Sequence, residues 1–152
     1  MIWNKEMECA DRETMRALQL KKLKETVRYE YDNVLYYREK MDKAGVKPED
    51  IQTLEDIRKL PFITKEDIAV NYPAGLFAKP MEEIVRIHAS SGTTGKPKIA
   101  GYTRNDLALW GECVARAMAS AGQDSKSVIQ VAYGYGLFTG GLGAHLGAET
   151  IG

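Results

Sequence analysis

Two cysteines in 152 residues are too few for a disulfide framework. Cys9 and Cys113 lie far apart, without CxxC spacing and without a histidine close enough to complete a zinc set, so reduced structural thiols are expected. An excess of either charge is also missing. With 21 basic and 21 acidic residues the formal net charge is zero, which gives no broad basic field for nucleic acid or anionic lipid. No stretch approaches the roughly 18 apolar residues of a membrane helix. The first ten residues interrupt their short apolar pieces with Lys5, Glu6 and Glu8, unlike a secretory leader. Neither repeats nor low-complexity tracts occur. The expectation is a cytoplasmic protein that uses neither a membrane nor nucleic acid.

The chain does have an ordinary globular balance, 44% apolar and 28% charged. A chain of this size folds as one domain, or part of a larger one, burying about 68 to 70% of its extended surface. Residues 1 to 80 read as helical and charged. From Asp11, the residues Met15, Leu18, Leu23 and Val27 recur near helical spacing, and a second helix runs from Val34 to Ala44, closed by Gly45. Thr53 with Asp56, and Thr64 with Asp67, fit capping boxes that open two short helices on either side of Pro61.

Beyond Gly75 the pattern changes. Ile84 to Ala89 alternates as a strand does, with Val85 and Ile87 on one face, and Lys98 to Tyr102 reads as a second strand. Thr103 with Asp106 caps a helix whose stripe is Leu107, Trp110, Val114, Met118 and Ala121, ended by Gly122. Ser127 to Tyr133 reads as a further apolar strand, and Thr150 to Gly152 as the start of another. The fold expected is α/β, a helical N-terminal region followed by part of a mixed sheet with covering helices. On this reading the chain stops inside a domain, leaving apolar surface uncovered near Val128 to Tyr133 and at Ile151. The last 19 residues hold seven of the fourteen glycines, which points to presentation of backbone rather than side chain.

The chemistry is concentrated at Ser90-Ser91-Gly92-Thr93-Thr94-Gly95-Lys96-Pro97-Lys98, between the first two strands. Gly92 and Gly95 let successive N–H groups converge on an anion, four hydroxyls add donors and Lys96 adds a charge, a composition suited to polyphosphate. A flexible linker would have no reason to place Lys96 and then Pro97 after the second glycine. The nucleoside-triphosphatase P-loop fails twice, because Ser90 replaces its first glycine and Pro97 its magnesium-binding hydroxyl. A dinucleotide fingerprint is absent. Nothing near Ser90 or Ser91 in sequence marks an activated serine. His88 fits a hydrogen-bonded core residue better than a chemical one, and His145 falls on an expected helix among Gly, Ala and Leu, where packing or a surface position explains it.

SSGTTGKPK resembles the phosphate loop of the adenylate-forming enzymes, the acyl-CoA synthetase and ligase superfamily. Upstream Leu60 to Asp67 (LPFITKED) and downstream Tyr133 to Gly141 (YGYGLFTGG) are similar to the phenylacetate-CoA ligase branch. The resemblance spans most of the chain, and implies that residues 1–152 are the N-terminal part of the large adenylation domain, 1–80 mainly helical and 81–152 α/β. It implies ATP-dependent activation of an aryl carboxylate to an acyl-adenylate, then thioester formation with coenzyme A, with Mg2+ accompanying ATP. Carried over by position, Ser90, Ser91, Gly92, Thr93, Thr94, Gly95 and Lys96 would surround the β- and γ-phosphates. Tyr133, Tyr135, Phe138 and Gly140 would line the carboxylate pocket. No residue of the chain is assigned as a nucleophile or metal ligand. The family's acidic magnesium ligand, ribose-binding aspartate and C-terminal lysine match nothing here. The partners implied are a small carboxylate, ATP and coenzyme A, with a homodimer left open. Two alternatives stand beside this reading: a ligase for a different carboxylate, and a non-catalytic polyphosphate-binding or interaction module.

Overall fold

The computed structural model describes residues 1–90 and 97–152. Its elements in chain order are α1 (Lys5–Glu8), α2 (Arg12–Asn33), α3 (Leu35–Lys43), α4 (Lys65–Val70), β1 (Arg86–Ala89), β2 (Ile99–Tyr102), α5 (Arg104–Ser120) and α6 (Thr139–Ile151). Short 3-10 turns occupy Pro48–Asp50, Leu54–Lys59 and Met81–Glu83. The chain divides into two units, Ala10–Pro80 and Met1–Cys9 with Met81–Gly152.

In the Ala10–Pro80 unit, Asp11 caps α2 by accepting the Thr14 N–H at 2.7 Å. Val34 alone breaks the helical path between α2 and α3, in extended backbone and 1% exposed. The core is Val27, Met41, Val46 and Ile51, flanked by Leu23, Tyr31 and Leu60. Gly45 ends α3 in the left-handed region at φ 69°, which glycine adopts without steric cost. Both capping boxes form. Asp56 accepts the Thr53 N–H at 2.7 Å and Asp67 accepts the Thr64 N–H at 2.6 Å. Asp67 also receives Lys40 Nζ at 2.6 Å and the Tyr36 hydroxyl, so a cap residue joins α3 to α4.

In the other unit, β1 and β2 pair antiparallel with His88 opposite Ala100 and Ala89 opposite Ile99. The Thr103–Asp106 capping box opens α5, and Gly122 follows the helix at φ 96°. α5 packs on α6 through glycine. A Cβ on Gly143 would lie 2.6 Å from Trp110 Cζ2, and one on Gly147 would lie 2.3 Å from Val114 Cγ1. Carbon contacts are optimal at about 3.5 to 4.0 Å, so only hydrogen fits there. Ala115, Ala119 and Ile151 form the core between these helices. The first residues close over it: Trp3 Nε1 donates to Glu112 Oε2 at 2.7 Å and Asn4 Nδ2 to Glu112 Oε1 at 3.0 Å.

The described part of the expected sheet consists of two antiparallel strands, with α5 packed against β2. Several other expectations require correction. Ser127–Tyr133 is not a strand: among the described residues no neighbouring strand supplies a ladder for its N–H and C=O groups, and Val128 is 99% exposed. Thr150 and Ile151 form the last turn of α6, and Ile151 is buried, not uncovered. Val85 and Ile87 do share one face, the exposed one, while His88 faces the interior. Both cysteines are free, as expected, but exposed and so not packed into a core.

Candidate functional site

The hairpin of β1 and β2 brings the two ends of the phosphate-loop motif together. Ser90 N–H donates to the Lys98 carbonyl at 3.0 Å, and Lys98 N–H donates to Ser90 Oγ at 3.2 Å. This pair closes the base of the loop. The candidates Ser91, Gly92, Thr93, Thr94, Gly95 and Lys96 lie outside the described residues, so Ser90 is the one loop candidate whose geometry is on view.

The segment leading into α6 docks on β1 through one carbonyl. Leu137 O accepts the Ala89 N–H at 2.8 Å and lies 2.9 Å from His88 Nδ1. A carbonyl can only accept, so Nδ1 carries the proton and, in the neutral ring, Nε2 is an acceptor. His88 is 1% exposed and meets the rings of Tyr102 and Trp110 edge-on, with centroids 5.4 and 5.3 Å away. Its Nε2 and the Arg86 Nη1 are buried without a hydrogen-bond partner among the described residues.

Directly after Leu137, Phe138 lines a pocket of about 410 Å³ together with Ala89, Ser90, Lys98, Ile99 and Thr139. The base of the phosphate loop and one candidate aromatic therefore share a cavity. The other aromatics stand elsewhere. Tyr135 lines a separate pocket of about 330 Å³ with Ile129, Val131 and His145. The Tyr133 ring lies against the first turn of α6, where a Cβ on Gly140 would come within 2.8 Å of Tyr133 Cε1. Gly140 thus makes room for Tyr133. A groove of about 670 Å³ between α2 and the 52–55 turn contains no sequence-predicted site residue and is crossed by the Arg16–Glu55 ion pair at 3.1 Å.

His145, set aside in the sequence, and Glu149, not singled out there, take part in this region. Tyr135 Oη lies 3.0 Å from His145 Nδ1, and His145 Nε2 lies 3.3 Å from Glu149 Oε1. With Nε2–H directed at the carboxylate, Nδ1 is the acceptor for the Tyr135 hydroxyl. A His-x-x-x-Glu spacing on one helix face was the available signal. No three His, Cys, Asp or Glu side chains among the described residues converge on a metal position, so none of them is assigned to magnesium. Among those residues no helix is long and apolar enough to cross a membrane.

No family model matches the chain. Among solved structures, it is similar to the crystal structure of 2-hydroxyisobutyryl-CoA ligase with 2-HIB-AMP and CoA in the thioesterification state. The TM-score is 0.91 at 28% identity, covering 99% of this chain and 33% of that one. The same ligase in its postadenylation state with R3-HIB-AMP gives 0.89 at 27% identity, covering 99% and 32%. The fold is that of the N-terminal part of an adenylate-forming CoA ligase. In sequence the relatives are more particular. The chain is 56% identical to the phenylacetate-coenzyme A ligase of Escherichia coli (strain K12) over 146 residues, 96% of this chain and 33% of that protein. It is 52% identical to the phenylacetate-coenzyme A ligase of Thermus thermophilus over 152 residues, 100% of this chain and 34% of that protein. The curated homologues are thus phenylacetate-CoA ligases, and the chain spans about a third of their length.

Proposed function

We propose that these residues serve an AMP-forming ligase that activates phenylacetate or a similar aryl acid with ATP and passes the acyl group to coenzyme A. The observation that carries the reading is the shared pocket of Ser90, Lys98 and Phe138 at the base of the phosphate loop. A carboxylate oxygen of the acid attacks the α-phosphorus of ATP, the bond to the β-phosphate oxygen breaks and pyrophosphate leaves. The thiol of coenzyme A then attacks the acyl carbon and AMP departs. Ser90 to Lys96 clamp the leaving polyphosphate by backbone N–H groups, hydroxyls and the Lys96 charge, a form of preorganised electrostatic stabilisation. Magnesium, when bound with ATP, adds further charge neutralisation.

Phe138 forms the wall of the acyl pocket nearest the clamp. Tyr133 and Gly140 pack on each other at the start of α6, outside that pocket, and Tyr135 lines a separate cavity, where His145 holds it. An aryl acid is favoured over an aliphatic one because the aryl-acid ligases are 51 to 56% identical in sequence, against 28% for the 2-hydroxyisobutyryl enzyme. A cytoplasmic setting fits two free, exposed thiols.

The test is a chimera in which this chain replaces the matching residues of the Escherichia coli phenylacetate-coenzyme A ligase. Pyrophosphate release should depend on the acid and favour arylacetates over 2-hydroxyisobutyrate. Equal or reversed preference would refute the aryl assignment, and a folded chimera with no acid-dependent release would refute the activity.

A further inference from the structure

We propose that His88 is a positioning residue that fixes Leu137, and through it Phe138, against the strand entering the phosphate loop. Its catalytic consequence rests on the reading given under Proposed function, whereas its structural content stands on the hydrogen bonds alone. The Leu137 carbonyl takes two donors from consecutive residues of β1, the Ala89 N–H at 2.8 Å and His88 Nδ1 at 2.9 Å. One donor holds a carbonyl at a distance but lets it pivot. Two donors use both lone pairs and fix its direction as well. The second donor is itself held, because its ring is 1% exposed and packs edge-on against both Tyr102 and Trp110, which stack on each other.

The other ring nitrogen separates this role from simple packing. His88 Nε2 is buried with no partner among the described residues, so the ring's hydrogen bonding there consists of the Nδ1 bond alone. If filling space were the whole task, a phenylalanine would fill it without stranding an acceptor. Among the described residues, what histidine adds at this position is one directed N–H, aimed at the carbonyl one residue before Phe138. Phe138 shares its pocket with Ser90 and Lys98, the pair that closes the loop. The His88 bond therefore sets how far the acyl wall stands from the phosphate clamp.

Three variants separate the possibilities. An asparagine amide reaches the place of Nδ1, a glutamine amide the place of Nε2, and phenylalanine keeps the ring without a donor. In the 152-residue chain, His88→Phe and His88→Gln should speed exchange of the Ala89 amide on the order of tenfold, while His88→Asn should keep it near the original rate. In the chimera, His88→Phe should raise KM for phenylacetate on the order of ten- to a hundredfold and leave KM for ATP within about twofold, with His88→Asn restoring most of the loss. Rescue by glutamine instead of asparagine, equal damage from asparagine and phenylalanine, or no damage from any of the three would overturn the proposal. Independently of any variant, the imidazole nitrogen spectrum of the unmodified chain should show the Nδ1–H form of His88, and a neutral Nε2–H form would overturn it. A wild-type chimera without acid-dependent pyrophosphate release would sink the ligase reading, and the Ala89 exchange rates and the imidazole spectrum would still decide the role of His88.

Discussion

Replacing Gly147 by alanine should destabilise the α5–α6 pair, although alanine is the better helix former. The new Cβ would lie 2.3 Å from Val114 Cγ1, 2.5 Å from Val114 Cβ and 3.1 Å from the Val114 carbonyl carbon. Rotation of the valine side chain moves neither Cβ nor the main chain, so the helices must separate by about 1 Å to restore normal contact. Overpacking of a filled core costs roughly 1 to 3 kcal/mol, and an obstruction made partly of backbone belongs at the upper end. Exchanging glycine for alanine within a helix returns about 1 kcal/mol. The expected net loss is about 2 kcal/mol, which for a chain of this size lowers Tm by roughly 4 to 8 °C. The control is Gly136→Ala, at a position without positive φ and with nothing within 4 Å of the added Cβ. There the same change should stabilise by about 0.4 to 1 kcal/mol through the unfolded state. Thermal unfolding followed by circular dichroism gives both values. An unchanged or raised Tm for Gly147→Ala would refute the close helix approach.

Asp67 is held well below the usual carboxylate range, first by the Lys40 ammonium, then by the Tyr36 hydroxyl and the Thr64 backbone. Because its folded pKa is depressed, its contribution is full above the unfolded value near 4 and is lost as pH falls below it. The urea midpoint of the wild-type chain should therefore fall below about pH 4, and Asp67→Asn should flatten that part of the profile. In the chimera, Phe138→Ala should shift relative kcat/KM toward bulkier arylacetates, because removing the ring enlarges the pocket beside Ser90. Unchanged ratios would move the acyl site elsewhere. The 152-residue chain alone, with Val128 99% and Phe62 90% exposed, should form oligomers by light scattering and release pyrophosphate only at background. A monodisperse monomer with turnover would contradict both statements.

Local chemistry was the legible part of this sequence. Each Thr-x-x-Asp box is complete within four residues, so Thr53, Thr64 and Thr103 disclosed their helix starts without reference to the rest of the fold. Gly45 and Gly122 marked helix ends for the same reason. Ser127–Tyr133 misled because an apolar, β-branched run records burial and propensity, whereas a strand also requires a neighbour to bond with, which no local pattern reports. The glycines of α6 were illegible as packing, since Gly143 and Gly147 are explained by Trp110 and Val114 about thirty residues earlier. The Tyr133 to Gly141 motif placed its aromatics in one stretch of chain. The start of a helix at Thr139, with Leu137 pinned to β1, then sends Phe138 and Tyr135 to different cavities. The helix carrying His145 was legible, whereas the contact of that residue with Tyr135, which lies outside the helix, depends on the path of the chain before Thr139.

The most direct test of the central claim is the rate of phenylacetate-dependent pyrophosphate release by the chimera with and without Lys96→Ala, at ATP concentrations below KM. A charge-assisted contact to the polyphosphate is worth roughly 1.5 to 3 kcal/mol, so the variant should lose on the order of ten- to a hundredfold in rate. Wild-type rates in the Lys96→Ala chimera at low ATP would contradict the assignment of this loop as the phosphate clamp.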